Sequence, residues 1–368
     1  MNRHVKIVLA LMLALAVCFV GQPSALAQDD GLTVVKKASA QQQATAMAFW
    51  TRERIAAAQP MPIPVDYGPA VVDAGALEAA ALAGPGESTS AGMAAPGANQ
   101  VARALFADDW AALEKGGIPA DDVAGTSGVY TYYDVNSNTA FWNVYPHKWV
   151  GRLTFTTPNG TSYCSATVIS NNHIVTAAHC VYDTTNNRWY RNWVFTPAYR
   201  AGSAPFGTFG YTSARVLTAW QGLTGAYSIN TWARHDVAII GLRPNAAGQT
   251  VNSLVGWAGR NWDWGYSQLH FNSGYPFKSY TDANLTSAGL YLRACTAESF
   301  AQTTETLGSG CYYGRGISGG SWLRNYKPFV LSGNVNSVNS GLFIGTQNLY
   351  GARFNSSNIV VLCTADGC

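Results

Sequence analysis

The chain has 368 residues, 48% of them hydrophobic and only 12% charged, with a formal net charge of +3. Such a composition can bury a core and excludes a charged disordered chain. No dense Lys/Arg block is present, so there is no electrostatic case for a nucleic-acid partner.

In chain order, Arg3 and Lys6 precede an apolar run from Ile7 to Val20, which is short for a membrane span. Ala25-Leu26-Ala27 then offers a small-x-small cleavage site. Residues 1–27 are therefore read as a signal peptide, and the product as secreted and extracellular, with no membrane attachment after cleavage. The alternatives are an uncleaved anchor or a lipoprotein modified at Cys18. The lipoprotein is disfavoured because Val17 is bulky and the apolar run continues past Cys18. Loss of the signal removes Cys18 and leaves Cys164, Cys180, Cys295, Cys311, Cys363 and Cys368, an even number suited to an oxidising compartment. Sequence by itself leaves their pairing open; proximity favours Cys295–Cys311 and Cys363–Cys368.

Residues 28–125 are rich in Ala, Gly and Pro, poor in aromatics and free of cysteine. Residues 41–58 lack interior Gly and Pro and suit a helix, which Met61-Pro62-Ile63-Pro64 would stop. Residues 80–99 suit a flexible segment and residues 102–115 a second helix. This stretch is read as a pro-region, with a linker or small extra domain as the alternative. Its boundary with a domain at 126–368 is placed near residue 125.

From about Ser127 the texture changes to short β-rich runs separated by polar turns, and ten of the twelve Trp lie from Trp142 onward. Strands are expected at residues 129–133, 150–156, 163–169, 173–177, 193–196, 213–219, 237–241, 268–271, 321–323, 328–332 and 342–346. Asn171-Asn172 is the expected hairpin turn between the third and fourth of these. Many short strands with Gly-rich turns imply an all-β sandwich or barrel.

Chemistry concentrates in three blocks. Gly316-Ile317-Ser318-Gly319-Gly320 suits a tight turn that projects one hydroxyl and leaves amide N–H groups unobstructed. A serine hydroxyl needs a base to become a nucleophile. Thr176-Ala177-Ala178-His179-Cys180 supplies an imidazole, and His235-Asp236-Val237-Ala238-Ile239 a carboxylate at the start of an apolar strand. His173, Asp183 and His235 compete for these roles. His173 opens a strand, Asp183 lacks a following apolar strand, and His235 suits a neighbour of the carboxylate. No metal-ligand spacing or phosphate-cradling loop stands out, so no cofactor is expected.

In the order His179, Asp236, Ser318, these blocks resemble the histidine, aspartate and serine boxes of the chymotrypsin/trypsin-like serine proteases. The resemblance covers roughly residues 140–350. It implies two six-stranded antiparallel barrels with catalytic groups at their junction, and a crossover near residues 243–250. It also implies a Cys164–Cys180 disulfide, Ser318 as nucleophile, His179 as general base, Asp236 as its orienting partner, and an oxyanion hole from the N–H groups of Gly316 and Ser318. Ile317 and Ser321 stand where many members carry Asp and Pro. Ile317 cannot pair with a new N-terminal ammonium, so activation by N-terminal insertion is not expected. These departures are similar to the bacterial Gly-x-Ser-Gly branch that includes the glutamyl endopeptidases, although the acidic specificity is not carried over. Tyr312 stands six places before the serine, so no acid favours Lys or Arg substrates. Tyr312, Arg315, Asn334 and Ser337 are the expected pocket residues, with residues 330–337 as one wall and residues 334–337 pairing with a substrate strand. The expected activity is hydrolysis of protein or peptide substrates by a monomer. The alternatives are an esterase using the same triad and a non-catalytic binding protein of the same fold.

Overall fold

The computed structural model describes residues 31–82, 86–92, 121–125, 128–134, 142–277, 288–327 and 332–368. The signal stretch with Cys18, the helix expected at residues 102–115, half of the segment at 80–99 and most of the strand expected at 328–332 lie outside them.

Six strands close on themselves within residues 150–242. They are β1 (Val150–Thr157), β2 (Gly160–Ile169), β3 (His173–Thr176), β4 (Arg191–Pro197), β5 (Phe209–Leu217) and β6 (Ala238–Leu242). The hydrogen-bonded path runs β5-β4-β1-β2-β3-β6 and returns to β5, and every pairing is antiparallel. The β2–β3 hairpin turns at Asn171 and Asn172, both with φ near +55 to +60°, as a tight two-residue turn requires. Its interior is built from Leu153, Phe155, Val168, Ile174, Trp193, Val216 and Ile240, all fully or almost fully buried.

The second half contains β7 (Gly259–Asn261), β8 (Leu269–Gly274), β9 (Arg293–Thr303), β10 (Thr306–Ser309), β11 (Ser321–Arg324), β12 (Asn334–Val338) and β13 (Leu349–Ala352). The path is β13-β10-β9-β8-β11-β12-β7. Ser340 N–H donates to the Tyr350 carbonyl, and Phe354 N–H to the Asn336 carbonyl. These bonds draw the last strand back toward β12 and curl the sheet. The all-β, trypsin-like expectation is met, with one closed six-stranded barrel and further sheets beside it.

Disulfides join Cys164–Cys180, Cys295–Cys311 and Cys363–Cys368. The helix expected over residues 41–58 is two helices, Ala40–Phe49 and Arg52–Ala57. Buried Trp50 interrupts them by donating its indole N–H to the Asn192 carbonyl at 2.5 Å. Thr51 then caps the second helix by accepting from Arg54 N–H. A C-terminal helix, Ile359–Asp366, was not anticipated. It is anchored where Asp366 accepts from Arg215 at 2.9 Å and Ser213 at 3.0 Å. Among the described residues no helix is long and apolar enough to cross a membrane.

The described part of the N-terminal stretch lies along the body rather than apart from it. Thr33–Lys37 pairs antiparallel with β5 over Ser213–Leu217. Gln59–Pro60 pairs parallel with β2, Val65–Asp66 parallel with Leu342–Phe343, and Ser88–Thr89 antiparallel with β7.

Candidate active site

β3 and β6 set the first two groups side by side. Their register pairs Thr176 with Ala238. His179 therefore follows β3 at the same barrel end at which Asp236 precedes β6. A short 3-10 turn, Ala178–Cys180, carries the histidine, and the Cys164–Cys180 bond ties that turn back to β2. His179 Nδ1 lies 2.7 Å from Asp236 Oδ2, and the His179 backbone N–H donates to Oδ1 at 2.8 Å. The carboxylate, wholly buried, thus fixes both the backbone and the ring of His179. With Nδ1–H committed to the carboxylate, Nε2 is the ring nitrogen left with a lone pair.

Two residues that the sequence reading missed complete the carboxylate's shell. Ser340 Oγ donates to Asp236 Oδ2 at 2.5 Å, and Tyr227 OH meets Ser340 Oγ in turn. Burial, and then the negative charge of Asp236, push the Tyr227 phenol well above its ordinary pKa, so it stays a neutral hydroxyl. Ser340 follows β12 directly, in Val338-Asn339-Ser340-Gly341. That polar run after an apolar strand end was the available signal.

The serine turn is gripped from both halves. Ser165 of β2 donates its N–H to the Ser318 carbonyl at 2.8 Å and its hydroxyl to the Gly316 carbonyl at 3.0 Å. From the other side, Gly319 N–H donates to the Asn339 carbonyl, and Asn339 N–H to the Gly320 carbonyl. Gly316 and Gly319 have φ of +86° and +77°, a region costly for residues with a Cβ. A Cβ on Gly319 would also stand 2.0 Å from Thr176 Oγ1 and 2.8 Å from Ala177 N. The serine turn therefore abuts the strand end that leads into His179. Ser318 Oγ and His179 Nε2 are both buried, and among the described residues neither has a hydrogen-bond partner. Ile317 is fully buried in an apolar cluster with Cys311, Tyr313, Trp322 and Leu342.

The rival groups are engaged elsewhere. His173 pairs with Asp366 at 3.3 Å, Asp183 with Arg188 at 3.4 Å, and His235 Nε2 accepts from Arg234 at 3.0 Å. Burial, and then the Arg234 charge, lower the pKa of His235. Cys164 and Cys180 lie close enough to His179 to suggest a metal cluster, but both sulfurs are in the disulfide.

The expected pocket residues are dispersed. Tyr312 packs, partly buried, against the cluster around Ile317, and Arg315 is exposed. Asn334 begins β12 and donates to the Thr89 carbonyl at 2.6 Å, while Ser337 is buried opposite Trp322. Leu342–Phe343, a few residues past 334–337, pairs parallel with Val65–Asp66.

The sequence profile of the trypsin family, described as Trypsin, matches residues 140–338. Protease Anisep from Arthrobacter nicotinovorans superposes with a TM-score of 0.50 at 24% identity, covering 60% of this chain and 96% of that one. A Glu endopeptidase superposes with a TM-score of 0.51 at 20% identity, covering 67% of this chain and all of that one. At these identities the structures attest the fold alone. No curated protein matches the chain. With the profile spanning more than half its length, the chain belongs to the trypsin family of serine peptidases.

Proposed function

We propose that the protein is a secreted serine endopeptidase, made with a signal peptide and a pro-region, that cuts peptide bonds through an acyl-enzyme. Ser318 Oγ attacks the substrate carbonyl carbon while its proton passes to His179 Nε2. The tetrahedral oxyanion is held by the N–H groups of Gly316 and Ser318. Collapse expels the amine, which takes the proton from His179, and leaves Ser318 acylated. Water, deprotonated by His179, then releases the acid and restores the serine. Asp236 keeps the imidazole in the tautomer with a free Nε2 and offsets its transient positive charge.

The observation that carries this reading is the 2.7 Å contact between His179 Nδ1 and a buried carboxylate, at the seam that the Ser318 turn also occupies. Among family members we place the chain near the bacterial branch that includes glutamyl endopeptidases. Ile317 supports this, because its apolar surroundings leave no place for an activating ammonium. We do not extend a preference for acidic residues to it. Its substrates are proteins or peptides and it acts as a monomer.

The test is organophosphonate labelling of the processed protein, with Ser318→Ala as control. Labelling confined to residue 318, together with hydrolysis of a peptide substrate that Ser318→Ala lowers at least about 1000-fold, is expected. An unlabelled, folded, processed protein would remove the enzymatic reading. Ester cleavage without peptide cleavage would favour an esterase.

A further inference from the structure

Residues 58–66 cross the seam at which the three blocks meet. Their backbone is bonded at residues 58, 61, 64 and 66 to groups of the protease body. The Ala58 carbonyl accepts from the buried Arg152 guanidinium at 2.9 Å. Met61 N–H donates to the Tyr163 carbonyl at 2.9 Å, and the Met61 carbonyl accepts from Gly316 N–H at 3.1 Å. The Pro64 and Asp66 carbonyls accept from Leu342 N–H at 3.0 Å and Ile344 N–H at 2.8 Å. The Asp66 carboxylate takes the buried Ile229 N–H at 2.7 Å. One extended segment thereby joins β2 of the first barrel to the 342–344 edge of the second half, and it lies on the first of the two proposed oxyanion donors.

The sequence of this segment suits the position. Prolines at 60, 62 and 64 preset the backbone in an extended form, so less entropy is lost on docking. Between them, Ile63 is 6% exposed and joins the cluster containing Tyr313, Ile317 and Leu342. The carbonyl held at Gly316 belongs to the Met61–Pro62 bond. Its nitrogen carries a ring carbon where an ordinary peptide carries hydrogen, so the leaving group is crowded just where His179 would have to protonate it.

We propose that the substrate cleft is a binding site for proline-spaced extended peptides, and that residues 58–66 fill it in the intact chain as an uncleaved occupant. The segment keeps Ser318 from substrate while it is docked. The same cleft, once vacated, takes a peptide of this chemistry supplied from outside. This rests on the reading of Ser318 as nucleophile.

The test uses the full chain and a fluorophosphonate directed at Ser318. Ile63→Asp places a carboxylate in an apolar pocket and should displace the segment, raising the labelling rate at least about 30-fold over the parent chain. Ile63→Ala, which only shortens the side chain, should raise it about tenfold. A synthetic peptide covering residues 58–66 should slow labelling of the Ile63→Asp chain again, and the same peptide with Asp in place of Ile should not. The Ile63→Ala chain carries the test if Ile63→Asp does not accumulate. Equal, fast labelling of parent and both variants overturns the occupant but leaves the nucleophile standing. Scission of the parent chain between Met61 and Pro62 also overturns it. Absence of labelling in every chain overturns the nucleophile, and the occupant with it.

Discussion

Asp236→Asn gives the sharpest test of the proposed mechanism, because its hydrogen-bond partners among the described residues are identified. The carboxylate accepts from three donors: the His179 backbone N–H, His179 Nδ1–H and the Ser340 hydroxyl. Asparagine keeps one accepting oxygen and gains an NH2. The backbone N–H cannot reverse its role, so the amide oxygen must face it. The NH2 then faces Nδ1 and Ser340. Ser340 can adapt, since a hydroxyl accepts as readily as it donates. The imidazole adapts only by placing its proton on Nε2, which is the wrong tautomer for receiving a proton from Ser318. Wrong-tautomer catalysis in a serine triad costs about 10⁴ in kcat, or about 5 kcal/mol of transition-state stabilisation. Stability should change little, because an uncharged amide buried in place of a carboxylate offsets the weakened hydrogen bonds. The assay is kcat for a peptide substrate, together with the organophosphonate labelling rate, on processed wild-type and variant protein of equal Tm. Retention of activity to within tenfold would show that this carboxylate does not set the histidine's tautomer, and would refute the assignment.

Two further substitutions probe what supports the site. Gly319→Ala combines a left-handed φ with a Cβ 2.0 Å from Thr176 Oγ1. It should destabilise the fold by about 3 kcal/mol or more, and urea unfolding will show it. His270 is wholly enclosed, and burial drives its pKa from 6.5 to about 4. Between those values the unfolded chain binds a proton that the folded chain refuses, so stability falls as pH drops from 6.5 to 4, by about 3 kcal/mol in full. His270→Gln should flatten that part of the pH–stability curve. Equal slopes for parent and variant in urea titrations at pH 7 and pH 4.5 would contradict it.

Much of this architecture was legible in the sequence because its signals are local. Strands β1 to β4 and β6 announce themselves through β-branched and aromatic runs, and the Asn171-Asn172 turn through two residues that tolerate positive φ. Strands β9 and β10, as Arg293–Thr303 and Thr306–Ser309, did not. They are made largely of Ala, Ser, Thr and Gly, and owe their conformation to neighbouring strands instead of their own side chains. The C-terminal helix escaped because Ile359-Val360-Val361-Leu362 is apolar on successive positions and shows no helical period. Ser340 and Tyr227 escaped for a different reason. Ser340 lies 104 residues from Asp236 and Tyr227 meets Ser340 across 113; the polar run at 338–341 is a local signal, but no local pattern names the partner.

The segment over 60–64 escaped in the most instructive way, because proline spacing that stops a helix also preforms a strand. The remaining question is how so short an occupant holds a cleft. On the proposed reading it does not act alone. Thr33–Lys37 is laid along the part of β5 that β4 leaves unpaired, and Arg215 reaches across to donate to Thr33 Oγ1 at 2.8 Å. Trp50 is anchored to β4 through the Asn192 carbonyl. Both attachments lie upstream of residue 58, and both are made to the first barrel. They hold the occupant beside its site at an effective concentration in the millimolar range, so that even a weakly binding peptide keeps the cleft filled. A single cut between Trp50 and Ala58 would leave every contact of the occupant intact and remove the upstream part of this advantage, while Ser88–Thr89 on β7 keeps the downstream link. Such a cut, engineered as a unique protease site near Arg54, should therefore loosen the occupant without touching any residue of the cleft. A labelling rate that stays at the uncut level after cleavage would mean that the segment holds by its own contacts and its downstream link, and the upstream tether would then have no part in latency.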